Sequence, residues 1–307
     1  MRHPPDPVGS SWNKPRQRIA AGQFEGIEDV IARMTSAAAR AILVALLIAV
    51  PSLVVPGVSM DTSQITVLIA LFAATLTFIE YNAASPSIVE FRDAAPFNRL
   101  RFAALFVTVL CLSYILKGKV DPTVTTQALT SIGTIVGNSI DFPYSPVRMV
   151  VLMLPDGSEE ELVQSVRTAA GMAYFSSLCA MTAFLFLVRI LGWPMRHGSF
   201  NVWVNMPLFD PTAGGDVLQR LHRDARINIA LGFLLPFMIP AVVKAASDLL
   251  NPITLDNPQT LIWTMTAWAF LPASMIMRGI AMHRIGEMIR EQRERAYANV
   301  DGELQVV

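Results

Sequence analysis

Six runs of mostly apolar residues divide the chain, at about 37–58, 64–79, 102–116, 168–188, 227–243 and 261–277. A helix needs about 20 apolar residues to cross a bilayer. Each run approaches that length once the long basic side chains at its ends, such as Arg101, Lys117, Lys244 and Arg278, reach toward the headgroups. The pattern predicts an all-α, polytopic membrane protein, a six-helix transmembrane bundle with amphipathic helices on its cytosolic side. A seventh, weaker stretch at 124–140 is rich in Thr, Ser and Gly. It reads as a re-entrant or extracytoplasmic segment. Its Gly133 and Gly137 read as turn glycines rather than as a helix-packing face.

The polar stretches between the runs carry their own periodicities. Residues 1–22 hold four prolines and no apolar core, which predicts a disordered tail rather than a signal peptide. In 23–36, Phe24, Ile27, Val30, Ile31 and Met34 share one helical face, the signature of an interfacial amphipathic helix. Ser158 and Glu161 have the spacing of a capping box before the fourth run. Residues 199–209 alternate like an extended interfacial strip. After the last run, 278–307 reads as a helix and tail, with Glu291 and Arg295 one turn apart.

Composition agrees with a membrane location. The chain has 307 residues, is 53% hydrophobic and 16% charged, and its mean hydropathy is +0.45. A formal net charge of zero gives no reason to expect a nucleic-acid partner. The distribution of charge says more than the sum. Of the 24 Lys and Arg residues, all but Lys117, Lys119, Arg148, Arg167 and Lys244 fall on one side of the six-run topology. The positive-inside rule then places both termini in the cytosol. A seventh span at 124–140 would put the Arg-rich 189–226 stretch and the tail outside, against that bias. The excess of Arg over Lys, with abundant Ala, points to a bacterial cytoplasmic (inner) membrane.

Chemistry is sparse. Cys111 and Cys179 both lie in apolar runs and read as small buried side chains. No midspan carboxylate is expected, since Glu80 ends the second run and Lys244 the fifth, which lowers the case for an ion-coupled carrier. No nucleophile elbow, P-loop, dinucleotide fingerprint or zinc motif occurs, so no catalytic residue, metal or cofactor is assigned. His283 and Glu287 share a helix face but lack further ligands. Pro51 and Pro56, and Pro236 and Pro240, are expected to kink the first and fifth spans. Together with Asp29/Arg33 and Asp216/Arg220 before them, they form a faint parallel repeat. Ala169, Ala173 and Ser177 form a small-residue face for helix packing. Trp193 and Trp263 sit where an aromatic belt would.

The 22-residue stretch 80–101 is long for a helix–helix connection, typically about 2–8 residues. It mixes Glu90, Arg92, Asp93, Arg99 and Arg101 with Phe97, the composition of a docking surface. Three functions fit. The first is a non-catalytic component that docks or organises partners at the cytosolic face, as a hetero-complex or a homo-oligomer in the lipid bilayer. The second is a permease for a neutral or apolar solute, between the kinked spans. The third is a membrane enzyme using His197, Asp210, Asp216, His222 and Asp224.

Overall fold

The computed structural model describes residues 14–194, 205–209, 214–247 and 255–304. Among the described residues the regular structure is all helical: α1 (Lys14–Val54), α2 (Met60–Asn82), α3 (Phe97–Lys117), α4 (Val124–Ile140), α5 (Pro146–Val151), α6 (Glu160–Arg189), α7 (Val217–Ser247) and α8 (Pro258–Leu304). Six of these, all but α4 and α5, are long and apolar enough to cross a membrane. They correspond to the six runs. Their surfaces are those of a bundle solvated by hydrocarbon. α2 buries only Ala70 and Glu80, while Leu68, Leu71 and Phe72 stand exposed, the reverse of a helix in water.

The terminal helices are longer than a bilayer requires. α1 has 41 residues and α8 has 47. At 1.5 Å per residue these are roughly 60 and 70 Å long, against about 30 Å of hydrocarbon. Beyond its span α8 still packs on α7 through Ala281, Met282 and Ile285, and it becomes continuously exposed only at 292–295. α1 is described from Lys14, inside the stretch read as a tail. It continues through 23–36 without a break, so that segment is one piece with the first span. Ile27, Val30, Ile31 and Met34 are all exposed on it.

Several local expectations are corrected. Pro56 lies beyond the end of α1, so it helps terminate that helix, whereas Pro51 lies within it. Pro236 and Pro240 both lie inside α7, so the parallel between the first and fifth spans fails at this point. Ser158 forms no capping box; its hydroxyl donates to the Pro155 carbonyl, and α6 begins without a side-chain cap. A capping box instead opens α4, where Thr123 and Thr126 bond reciprocally. Cys179 is exposed rather than buried. Trp193 is buried, so it is not a belt residue. The 199–209 strip lies mostly outside the described residues.

α4 is a helix, and its glycines are contact points rather than turns. A Cβ on Gly137 would lie 2.6 Å from the Arg167 carbonyl oxygen, and one on Gly171 would lie 2.4 Å from the Gly137 Cα. The α4 and α6 backbones therefore touch at Gly133, Gly137 and Gly171. A weakly apolar sequence cannot reveal this, because the apolar partner surface belongs to another helix. Elsewhere on α6, Ala169, Ala173 and Ser177 are buried. They lie in the bundle interior, where Ala169 and Ala173 pack among Leu112, Met265 and Trp268.

The prolines of α7 have a packing partner. Pro240 has no N–H to give the Pro236 carbonyl, its i−4 acceptor. The Trp268 indole of α8 donates to that oxygen at 2.9 Å. Trp268 is buried and stacks on Tyr174. Near Pro51, Gln259 donates to the Ser52 hydroxyl at 2.8 Å, and Ser52 bonds Thr66. Polar groups beside the prolines of both helices are thus tied to neighbouring helices. Trp268→Phe keeps most of the volume but strands a carbonyl, so it is expected to destabilise the protein by about 1–3 kcal/mol. A thermal melt in mild detergent would measure this, and an unchanged midpoint would remove the indole's assigned role.

The two ends differ in how charge is handled. All five bases opposite the Arg-rich end have acid partners. Lys117 meets Asp121, Lys119 meets Glu161, Lys244 meets Asp156, and Arg148 and Arg167 share Asp141 at 2.8 and 2.7 Å. The Arg-rich end keeps unpaired cations, described next.

Candidate functional site

The α2–α3 connection folds inward. Glu80, at the end of α2, is buried. Its carboxylate accepts from the backbone N–H groups of Ser87, Ile88 and Val89 and from the Ser87 hydroxyl. One carboxylate thus organises a turn that has no regular structure. Arg92 works from the other side. It donates to the carbonyls of Glu80, Ala83 and Ala84, at 3.0, 2.9 and 3.2 Å, closing off the last turn of α2. Its Nε lies 3.6 Å from Asp93.

Long-range contacts pin the connection to the bundle. Glu90 takes both Nε and Nη2 of Arg278 on α8, at 2.5 and 2.7 Å, and its side chain is only 9% exposed. Arg101 donates to the Ser274 hydroxyl of α8 and lies over the Phe97 ring. Asn205 accepts from the N–H of Phe91 at its carbonyl and from the N–H of Asp93 at its side chain. Phe91, Phe97, Phe184 and Trp193 form one aromatic cluster, with centroid separations of 4.5 to 6.0 Å. Trp193 Nε1 donates to the Ala94 carbonyl within it. Phe91 adopts a positive φ of 55°, unusual for an aromatic residue. Its fully buried ring accounts for how that backbone is held.

Of the six residues singled out in this stretch, Glu90, Arg92, Phe97 and Arg101 therefore face inward and fix the loop. Asp93 and Arg99 are exposed. Arg99 makes no hydrogen bond or ion pair among the described residues. Beside it is a cavity of about 320 Å³ between α1, α2, α3 and the loop. Arg40, Arg92, Arg99, Tyr81 and Phe91 line it near the loop, and Leu43, Val44 and Phe102 line it further in.

Arg40 is the residue that sequence reasoning missed. It sits four residues into the first apolar run, so the signal was a lone cation inside a span, a costly placement that marks function by default. In the structure it stacks over the Tyr81 ring, 4.6 Å from the centroid. Its hydrogen bonds go to the Ser36 carbonyl and hydroxyl one turn back. Neither partner carries charge.

The described members of the group suggested for an enzyme, Asp216, His222 and Asp224, do not converge. Asp216 accepts from Arg293 and from the Leu218 N–H, which together hold its carboxyl below the usual range. His222 instead meets His283 edge-to-face at 5.1 Å. Asp224 pairs with its neighbour Arg223. His197 and Asp210 lie outside the described residues. His283 touches Glu287 at 3.4 Å, and no group of three metal-binding side chains occurs among the described residues. No family model, curated protein sequence or solved structure matches this chain, so the membrane-spanning helical bundle is identified by its own geometry alone.

Proposed function

We propose that this chain is a non-catalytic component of a bacterial cytoplasmic membrane, docking a protein partner at its cytosolic face. The observation that carries this reading is the braced α2–α3 loop. Two ion-pairing or hydrogen-bonding arginines and an aromatic cluster fix its backbone, while Asp93 and Arg99 stay exposed. A surface that is ordered before binding loses little entropy on association. The long ends of α1 and α8 extend the same face. The alternative of a solute path along the kinked spans gains no support, because Trp268, Tyr174 and Gln259 occupy the space beside the prolines.

The test is co-purification of a stoichiometric partner from native membranes in mild detergent. Asp93→Lys combined with Arg99→Glu is expected to release that partner with little change in the melting temperature, since Arg99 has no partner among the described residues and the half-exposed Asp93 adds only a long ion pair to the carbonyl bonds that hold Arg92. Retention by the double variant would reject the docking role. The same preparation can report orientation in a background lacking Cys111 and Cys179. A cysteine at exposed Tyr144 should be labelled from outside intact cells, and one at exposed Ile88 should not. The opposite pattern would reverse the assigned sides.

A further inference from the structure

We propose that the cavity between α1, α2, α3 and the 83–96 loop is a binding site for the headgroup of an anionic phospholipid from the surrounding bilayer. The cavity pairs cations with an apolar floor in an order that matches such a molecule. Arg40 and Tyr81 stand at one level. Leu43 and Val44 lie three and four residues further along α1, into its apolar run, and Thr77 lies one turn back along α2. At 1.5 Å per residue this places the floor about 5–6 Å deeper than the guanidinium level. Phosphate at Arg40 and Arg99 would therefore direct its glycerol and chains toward the hydrocarbon.

The local charge is uncompensated. Glu90 is consumed by Arg278, and Glu80 by four donors of its own loop. Asp93 reaches only Arg92. That leaves Arg40, bonded to neutral Ser36 groups, and Arg99, with no partner among the described residues. Two guanidinium groups without an acid partner, beside the loop-bound Arg92, face one cavity and form a site for a multi-oxygen anion such as a phosphate. Basic pockets between membrane helices at the headgroup level bind anionic lipid in this manner. The volume, about 320 Å³, is near the lower end of ligand pockets, about 300–1,000 Å³. It holds a headgroup and leaves the chains in the bilayer.

The experiment is native mass spectrometry of the full chain in a neutral detergent, titrated with dioleoyl phosphatidylglycerol or dioleoyl phosphatidylcholine. The wild type is expected to retain phosphatidylglycerol in preference to phosphatidylcholine. Arg40→Ala with Arg99→Ala should weaken retention about 25-fold, at about fivefold per arginine. Arg40→Lys with Arg99→Lys should keep most of it, which separates lost charge from lost fold. Equal retention of both lipids, or undiminished retention by the alanine double variant, overturns the proposal. Displacement of phosphatidylglycerol by millimolar inorganic phosphate overturns the lipid source in favour of a free anion. The docking reading is separable, since Arg40→Ala alone should lose lipid and still recover the protein partner.

Discussion

Glu90→Ala is expected to lower stability in detergent by about 2–3 kcal/mol, the upper part of the cost of leaving a charged hydrogen-bonding group without its partner in a half-buried site. The mutation leaves the half-buried Arg278 guanidinium, 29% exposed, without its carboxylate. Two bonds are lost at once, because Arg278 binds both carboxylate oxygens. Arg278→Ala should cost a similar amount, with Glu90 stranded instead. Replacing both residues, as Glu90→Leu with Arg278→Met, should recover much of the loss, since an apolar pair carries no desolvation penalty. Thermal unfolding measures the change, and limited proteolysis of the 83–96 loop locates it. If Glu90→Ala melts with the wild type and its loop stays protected, the pair does not hold the loop.

The second large effect belongs to Gly171→Val. Any Cβ at this position meets the Gly137 Cα at 2.4 Å. That neighbour is backbone, so no rotamer change relieves the collision, and α4 must move away from α6. Overpacking costs about 1–3 kcal/mol where side chains can shift, and more where backbone must. Separation would also break the Thr134–Thr168 hydroxyl contact between these helices. Gly214→Ala is the control, since nothing lies within 4 Å of a Cβ there. Unfolding midpoints in detergent compare the two. A Gly171→Val protein as stable as the Gly214→Ala protein would show that the helices do not touch at this point.

Both effects involve features that the chain displays only partly in one dimension. The six spans are legible because each must carry its own apolar run to satisfy lipid. The helix at 124–140 was harder to read, because the neighbouring α6 completes its packing. Gly133 and Gly137 have no distinguishing local signal, since a close approach needs a second backbone to approach. The α2–α3 loop shows the same division. Its length, arginines and aromatic rings marked it as unusual, yet which of them face inward was decided by Arg278, Ser274, Asn205 and Trp193.

The sequence by itself determined how many helices can span the membrane and at which end the basic residues gather. Those properties are additive along the chain: hydrophobicity and charge accumulate residue by residue and need no partner. Only the tertiary structure decided which charges remain free. Glu90 finds Arg278 across 188 positions, and Arg101 finds Ser274 across 173. Pairing is a relation between residues brought together through space, and no local window contains both members. Arg40 and Arg99 become conspicuous for that reason alone, once every nearby acid is seen to be occupied elsewhere.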